Sequence, residues 1–212
     1  MSRKLARVCY AVACLALTPA RAAMVDINIT DADGRPAANA VVALTASGTP
    51  APPSRLPLEG VIDQRNETFL PLVTIVRKGG RVVFTNHDTT MHQVYSFSSI
   101  KQFAFEMDEG RRSEPVVFDK PGVASIGCNI HDHMITYVYV AESPWVAQTD
   151  AKGHAQIADV PAGNYRVDIW HPRLVPGHPP PSAALAVNGP SRFAQRIGLL
   201  APPPKRMHMG TY

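Results

Sequence analysis

The chain has 212 residues, 45 % of them hydrophobic and 18 % charged, and its 21 Lys and Arg outnumber its 17 Asp and Glu. The imbalance is confined to the start: Arg3, Lys4, Arg7 and Arg21 precede every acidic residue, so the chain after residue 22 carries no net charge and offers no basic face to a nucleic acid. Past that point no apolar run approaches the roughly 18 residues that span a bilayer, which argues against a membrane-spanning protein.

Residues 1–22 read as a secretory signal. Three basic residues precede an apolar stretch over residues 8–17, and Thr18-Pro19-Ala20-Arg21-Ala22 supplies an Ala-x-Ala cleavage site. Export to the periplasm and a mature start near Ala23 are predicted. Lipid attachment at Cys14 is disfavoured, because Ala11-Val12-Ala13 lacks the usual Leu and more apolar residues follow. With Cys9 and Cys14 in the leader, Cys128 is left as the single thiol, and no intramolecular disulfide is available. An exposed lone thiol in an oxidising compartment is open to oxidation or cross-linking, and metal ligation would protect it. A buried, inert Cys is the plainer alternative.

Val25-Asp26-Ile27-Asn28-Ile29, Asp31-Ala32-Asp33-Gly34-Arg35-Pro36 and Ala40-Val41-Val42-Ala43-Leu44 predict strand, turn and strand. Thr49-Pro50-Ala51-Pro52-Pro53-Ser54 is a Pro-rich linker. Leu72-Val73-Thr74-Ile75-Val76 and Arg81-Val82-Val83-Phe84-Thr85 are β-branched and aromatic runs on either side of a Lys78-Gly79-Gly80 turn. The polar connection from Asn86 to His92 leads into a strand over residues 93–97. Val116-Val117-Phe118 and Val123-Ala124-Ser125-Ile126 flank an Asp119-Lys120-Pro121-Gly122 turn, and the second run leads directly into Cys128. Ile135-Thr136-Tyr137-Val138-Tyr139-Val140 continues as a strand after Met134. Downstream, Ala155-Gln156-Ile157 and residues 165–170 form two more, around a Pro161-Ala162-Gly163-Asn164 turn. Residues 176–181 form a stiff Pro-rich loop, and residues 201–212 are expected to be a disordered tail, in which Met207, His208 and Met209 are soft donors for Cu(I). Helical periodicity is nearly absent after the leader, so the predicted fold is all-β.

The chemistry concentrates in Cys128-Asn129-Ile130-His131-Asp132-His133-Met134. A thiolate, an imidazole and a thioether on one short loop suit copper better than other common metals, because zinc prefers thiolate, imidazole and carboxylate in closed tetrahedral sets. A trigonal His2Cys plane with a weak axial Met is an electron-transfer copper arrangement, and it needs a second histidine from elsewhere. His92, at the end of the upstream loop, is the candidate. His87 and His133 each neighbour a candidate ligand, and adjacent side chains of an extended loop point apart, which favours solvent-facing roles for both.

Val82-Val83-Phe84-Thr85-Asn86, His92, Pro121-Gly122 and the loop from Cys128 to Met134 resemble a cupredoxin, a Greek-key β-sandwich that holds type 1 (blue) copper. The short Cys-x-x-His-x-x-Met spacing, with an Asn six residues before the first His, is similar to amicyanin. The wider context, with Asn86-His87-Asp88, residues 92–98 and Gly127-Cys128-Asn129-Ile130-His131-Asp132, is closer to the cupredoxin-like methylamine-utilisation proteins. The resemblance implies His92, Cys128 and His131 as equatorial ligands and Met134 as the axial one. It also implies an Asn86 side chain that ties the His92 loop to the backbone around Cys128, although an Asx-turn at a strand end is the simpler role. His133 departs from that pattern, where those proteins carry an aromatic residue, and leaves a His in place of Met as an alternative fourth ligand.

The segments outside the cupredoxin-like part resemble a carboxypeptidase-regulatory-like β-sandwich. The implied division is 1–22 signal peptide, 23–58 first part of that sandwich and linker, 59–142 cupredoxin domain, 143–200 second part, and 201–212 tail. A competing division adds the first two strands to the cupredoxin sheet and leaves a small C-terminal β-unit.

Two functional classes compete. The first is a non-enzymatic periplasmic electron carrier whose copper cycles between Cu(I) and Cu(II), with redox partners that the resemblance suggests are an amine dehydrogenase or a c-type cytochrome in methylamine oxidation. The second is a copper delivery or assembly protein without redox traffic. A multicopper oxidase would need further His-x-His clusters, which His131-Asp132-His133 alone does not supply.

Overall fold

A computed structural model describes residues 22–48 and 52–202 of the protein, and these contain strands and turns but no helix. Residues 1–21 of the predicted signal segment, the middle of the Pro-rich linker and the Met207-His208-Met209 tail lie outside the described residues. In chain order come β1 (Ala23–Asp31) and β2 (Val41–Ala46), then β3 (Glu59–Gln64), β4 (Phe69–Leu70), β5 (Val73–Arg77), β6 (Gly80–Asn86), β7 (His92–Ser98), β8 (Lys101–Met107), β9 (Val116–Phe118), β10 (Gly122–Cys128) and β11 (Ile135–Ala141). They are followed by β12 (Trp145–Gln148), β13 (His154–Val160), β14 (Gly163–Trp170), β15 (Ser182–Val187) and β16 (Ser191–Ile197).

Strands β3 to β11 build two sheets, ordered β5-β11-β10-β7-β8 and β4-β3-β6-β9. Alternation along each strand decides which side chains face inward. Val94 and Ser96 on β7, Ala124 and Ile126 on β10, and Val138 and Val140 on β11 point into the space between the sheets, where Phe84, Phe118 and Ile62 from the other sheet meet them. The two glycine-containing turns, at 78–79 and 119–122, carry the chain from one sheet to the other, because β5 and β6, like β9 and β10, belong to opposite layers. Gly80 makes the first corner possible, since a Cβ there would lie 2.7 Å from the Arg77 carbonyl oxygen.

The remaining strands form two further sheets, ordered β13-β1-β16 and β12-β2-β14-β15. Strands β1 and β2 therefore lie in opposite layers, and the ribbon that their closeness in sequence suggests does not form. The reason is burial: β1 alternates cleanly, with Val25, Ile27 and Ile29 inward, and that face is covered by Val42 and Leu44 of β2 together with Trp145, Val167 and Ile169. These strands share one hydrophobic cluster, and strands β3 to β11 share a separate one.

Where the chain leaves β14, His171 is buried and its Nε2–H donates to the Ala38 carbonyl at 2.9 Å, while its Nδ1 accepts from the Arg173 N–H at 3.0 Å. The second bond requires the neutral ring, because Nδ1 can accept only while it carries no proton. Burial, with the nearby Arg173 charge, holds the imidazole below its ordinary pKa, although the Ala38 bond works the other way. The folded chain thus binds this proton less readily than the unfolded one. Its contribution to stability is complete above the unfolded value of about 6.5 and is lost as pH falls through the lower folded value. Between pH 7 and 5 the melting temperature is expected to decline, and His171→Asn to flatten that decline; equal slopes in calorimetry would count against this account.

Candidate metal centre

The site forms at one end of the inner sandwich, where β7 and β10 run antiparallel. Their register pairs Cys128 with Val94 and Gly127 with Tyr95. His92 stands two residues before Val94 on the same inward face, so its ring reaches the end of β10 and meets the Cys128 side chain. Both residues are buried, His92 completely. Beyond Cys128 the chain turns back on itself: Met134 N–H donates to the His131 carbonyl at 2.9 Å, and Cys128 N–H to the Met134 carbonyl at 3.3 Å. Asn129 anchors this loop to β7, with its N–H on the Gln93 carbonyl at 3.0 Å and its amide on Gln93 Oε1 at 2.7 Å.

This folding brings His92, Cys128 and His131 into one group, with their donor atoms all within 4.8 Å of one another. The sulfur lies 3.7 Å from His92 Nδ1 and 3.9 Å from His131 Nδ1. For an ion bonded to nitrogen and sulfur at about 2.0–2.3 Å, a trigonal arrangement puts N and S donors roughly 3.8 Å apart. The two separations therefore suit a single ion in the plane of the three donors. Met134, fully buried beside Cys128 in the core cluster, closes the inner end of the loop.

The opposite ring nitrogens meet carboxylates. His92 Nε2–H donates to Asp88 Oδ2 at 2.8 Å, and His131 Nε2 lies 3.6 Å from Glu67 Oε1. At 2.8 Å the Asp88 carboxylate keeps the proton of His92 on Nε2, which leaves its Nδ1 lone pair free for a metal; Glu67 stands near the far nitrogen of His131 without a hydrogen bond at that distance. Asp88 is itself well held. Burial opposes its ionisation, but the N–H of Glu67 at 3.0 Å, the His92 ring and the N–H of Asn66 together keep its carboxyl below the ordinary carboxylate range. Neither Asp88 nor Glu67 was singled out by the sequence reading. Asp88 carried a usable signal, four residues before His92 in a loop already marked as ligand-bearing. Glu67 carried none, because it arrives from β3–β4 across the sandwich.

Asn86 does not bond to the backbone around Cys128, which corrects the role implied by resemblance. Its amide donates to the Thr90 carbonyl at 2.8 Å and the Met107 carbonyl at 3.0 Å, and its Oδ1 accepts from the Asp88 N–H at 2.9 Å. The side chain braces the 86–92 loop from within, in an Asx-turn, and ties it to the end of β8. It thereby sets the position of Asp88, and through it the His92 ring. His133 lies outside the donor group: its Nε2 pairs with the Glu67 carbonyl at 3.0 Å, and its side chain is 38 % exposed. His87 is likewise at the surface and pairs with Asp63. Met107 is a thioether that the sequence reading passed over. It pairs across from His92 in the β7–β8 register, and its sulfur accepts from Gln64 Nε2 at 3.1 Å.

No protein-family model matches the chain, and no curated protein matches it. Similar solved structures include a purple cupredoxin from Nitrosopumilus maritimus, at 23 % identity over 38 % of this chain and 98 % of that one, with a TM-score of 0.35. Amicyanin from Paracoccus versutus is 20 % identical over 47 % of this chain and 97 % of its own, at 0.35. A Cu-containing nitrite reductase from Thermus scotoductus is 24 % identical over 47 % of this chain and 25 % of its own, at 0.37. Likenesses this distant add nothing to what the donor distances establish. On its own strand order and loop geometry, the inner unit is an all-β sandwich of two sheets with a group at one end that can hold a metal ion. Among the described residues no helix is long and apolar enough to cross a membrane.

Proposed function

We propose that the protein is a periplasmic copper protein that carries single electrons between redox proteins and is not itself an enzyme. The observation that carries this reading is the pair of Nδ1 atoms, from His92 and His131, at 3.7 and 3.9 Å from the Cys128 sulfur, each ring backed by a carboxylate at its far nitrogen. Copper bound there supplies a one-electron Cu(I)/Cu(II) couple, and a thiolate–imidazole plane with a thioether suits both states. His92, Cys128 and His131 are the proposed equatorial ligands and Met134 the axial one.

What the chain itself contributes is rigidity and an outlet. Strand register fixes two of the donors, and the hydrogen-bonded 128–134 loop fixes the others, so little has to move when the charge at the site changes. His131 keeps 18 % of its side chain exposed, and Met91, Ile130 and Ile135, each next to a proposed ligand, are exposed as well. Exposed apolar side chains next in the chain to the proposed ligands, with a partly exposed imidazole among those ligands, support brief docking of another redox protein, for which weak and small interfaces suffice. An amine dehydrogenase or c-type cytochrome in methylamine oxidation is the setting suggested by the sequence resemblance. The outer sandwich, into which the inner one is inserted on this reading, serves as a scaffold.

Titration of the metal-free protein with Cu(II) tests the proposal. An intense visible thiolate-to-copper band that saturates at one equivalent is expected, whereas a colourless one-to-one complex would favour copper delivery instead. Met134→Leu should leave copper bound but raise the reduction potential, because an axial thioether stabilises the electron-poorer Cu(II) more than Cu(I). An unchanged potential would remove Met134 from the ligand set.

A further inference from the structure

Away from the His–Cys group, the two sandwiches enclose a cleft of about 500 Å³. One wall is the outer face of the β5-β11-β10-β7-β8 sheet, where Tyr137 and Tyr139 stand two residues apart on β11 and point away from the core. The other wall comes from β14, whose outward residues Asp168 and Trp170 face the same space. Trp170 meets both tyrosines, with ring centroids 5.3 Å from Tyr137 at an interplanar angle of 62° and 6.1 Å from Tyr139 at 49°. These are the tilted, edge-to-face contacts that aromatic pairs ordinarily make, and they set the three rings side by side along the cleft. All three rings are only half-buried.

Among the residues that line the cleft the fixed charge is negative, although Arg166 and Arg173 stand just outside it. Its lining contains no Lys or Arg, and Asp168 is its one carboxylate. Arg166, whose side chain is 65 % exposed, pairs with Asp168 through Oδ2 at 2.9 Å, while Oδ1 has no hydrogen-bond partner among the described residues and is open to a further cation. Of the two histidines on the lining, His171 is kept neutral by the bond its Nδ1 accepts from the Arg173 N–H and His178 is exposed. Burial, then the Asp168 charge, push the Tyr139 hydroxyl upward, so its ring stays uncharged. Indole and phenol faces carry negative potential and attract cations whose own hydration is weak.

We propose that this cleft binds an organic ammonium ion, with the cation against the faces of Trp170, Tyr137 and Tyr139 and with Asp168 as its counter-charge. The probe is choline, compared with the neutral alcohol in which carbon replaces its nitrogen, each titrated into the full protein at constant ionic strength. The Trp170 indole resonance, assigned with Trp170→Phe, reports binding by two-dimensional NMR. Choline should shift that resonance saturably and the neutral alcohol should not. Asp168→Asn should weaken choline binding about tenfold, and Trp170→Leu should abolish it. Equal binding of the two compounds, or undiminished choline binding by Asp168→Asn, would overturn the proposal. Because Asp168 is a partly exposed side chain outside both cores, its variant remains decisive even if Trp170→Leu fails to fold. The result should be the same with and without copper, so it stands or falls independently of the role proposed for the metal centre.

Discussion

Cys128→Ser is expected to abolish the visible copper band and to weaken Cu(II) binding by more than a hundredfold, while the protein still folds. The sulfur is the donor that both imidazoles face, and a serine hydroxyl is neither a thiolate nor readily ionised near neutral pH. Loss of a hydrogen bond behind a ligand costs about 10–100-fold in metal affinity, so removal of the ligand itself should exceed that range. The fold should tolerate the change because the two side chains are close in size. The penalty is at most that of an additional buried hydroxyl, about 1–3 kcal/mol. His92→Ala should lose the same band for a different reason, since it removes the imidazole that the β7–β10 register delivers. Titration against a competing chelator, alongside a thermal melt of the metal-free variant, separates metal loss from unfolding. A Cys128→Ser protein that turned blue at one equivalent would end the proposed centre.

The largest expected effect on stability lies in the outer unit, at Gly153. This residue has φ +75°, a region that L side chains rarely adopt, and a Cβ on it would lie 2.3 Å from the Ile29 carbonyl oxygen and 3.2 Å from the Ala37 N–H nitrogen. Both neighbours are backbone held in place by hydrogen bonds, Ile29 N–H to the Gly153 carbonyl at 2.8 Å and Ala37 N–H to the Ile29 carbonyl at 3.0 Å, so neither can step aside cheaply. Strain from the backbone angle and from overpacking is each worth about 1–3 kcal/mol, which puts Gly153→Ala at about 3 kcal/mol or more. For a chain of this size that corresponds to a drop in melting temperature of roughly 6–12 °C. Gly34→Ala is the control. Its φ is +81°, but nothing lies within 4 Å of the added Cβ, so only the backbone term of about 1 kcal/mol applies. Similar losses at the two positions would show that the close approach to Ile29 carries no weight. The hydrophobic cluster of strands β3 to β11 is separate, so the Gly153 variant should still take up copper with its band unchanged at low temperature.

Strand alternation was legible wherever one face is apolar, as in β1, β7, β11 and β14, because period-two burial is written into neighbouring residues. It was also present, though passed over, in β8, where Phe103, Phe105 and Met107 share a face. Strand β3 was not legible by the same rule. Its inward positions are Ile62 and Gln64, and a buried glutamine breaks the apolar pattern. Strand β16 escaped because only Phe193 and Ile197 point fully inward and its partner is far away: it runs parallel to β1, Phe193 opposite Ile27.

By itself the amino-acid sequence determined which proposed donors share a loop, since Cys128, His131 and Met134 are spaced closely enough for one loop to hold them whatever lies around it. It also determined that the chain is built of strands, because alternation is a local property. Only the tertiary structure decided that His92, thirty-six residues upstream, shares an inward face with Cys128, that Asp88 and Glu67 stand behind the two imidazoles, and that β1 pairs with β13 and β16. Those facts depend on which strands find one another across long stretches of chain. That choice is made by burial of two complete cores, in which every strand contributes at once, and no segment read alone contains it.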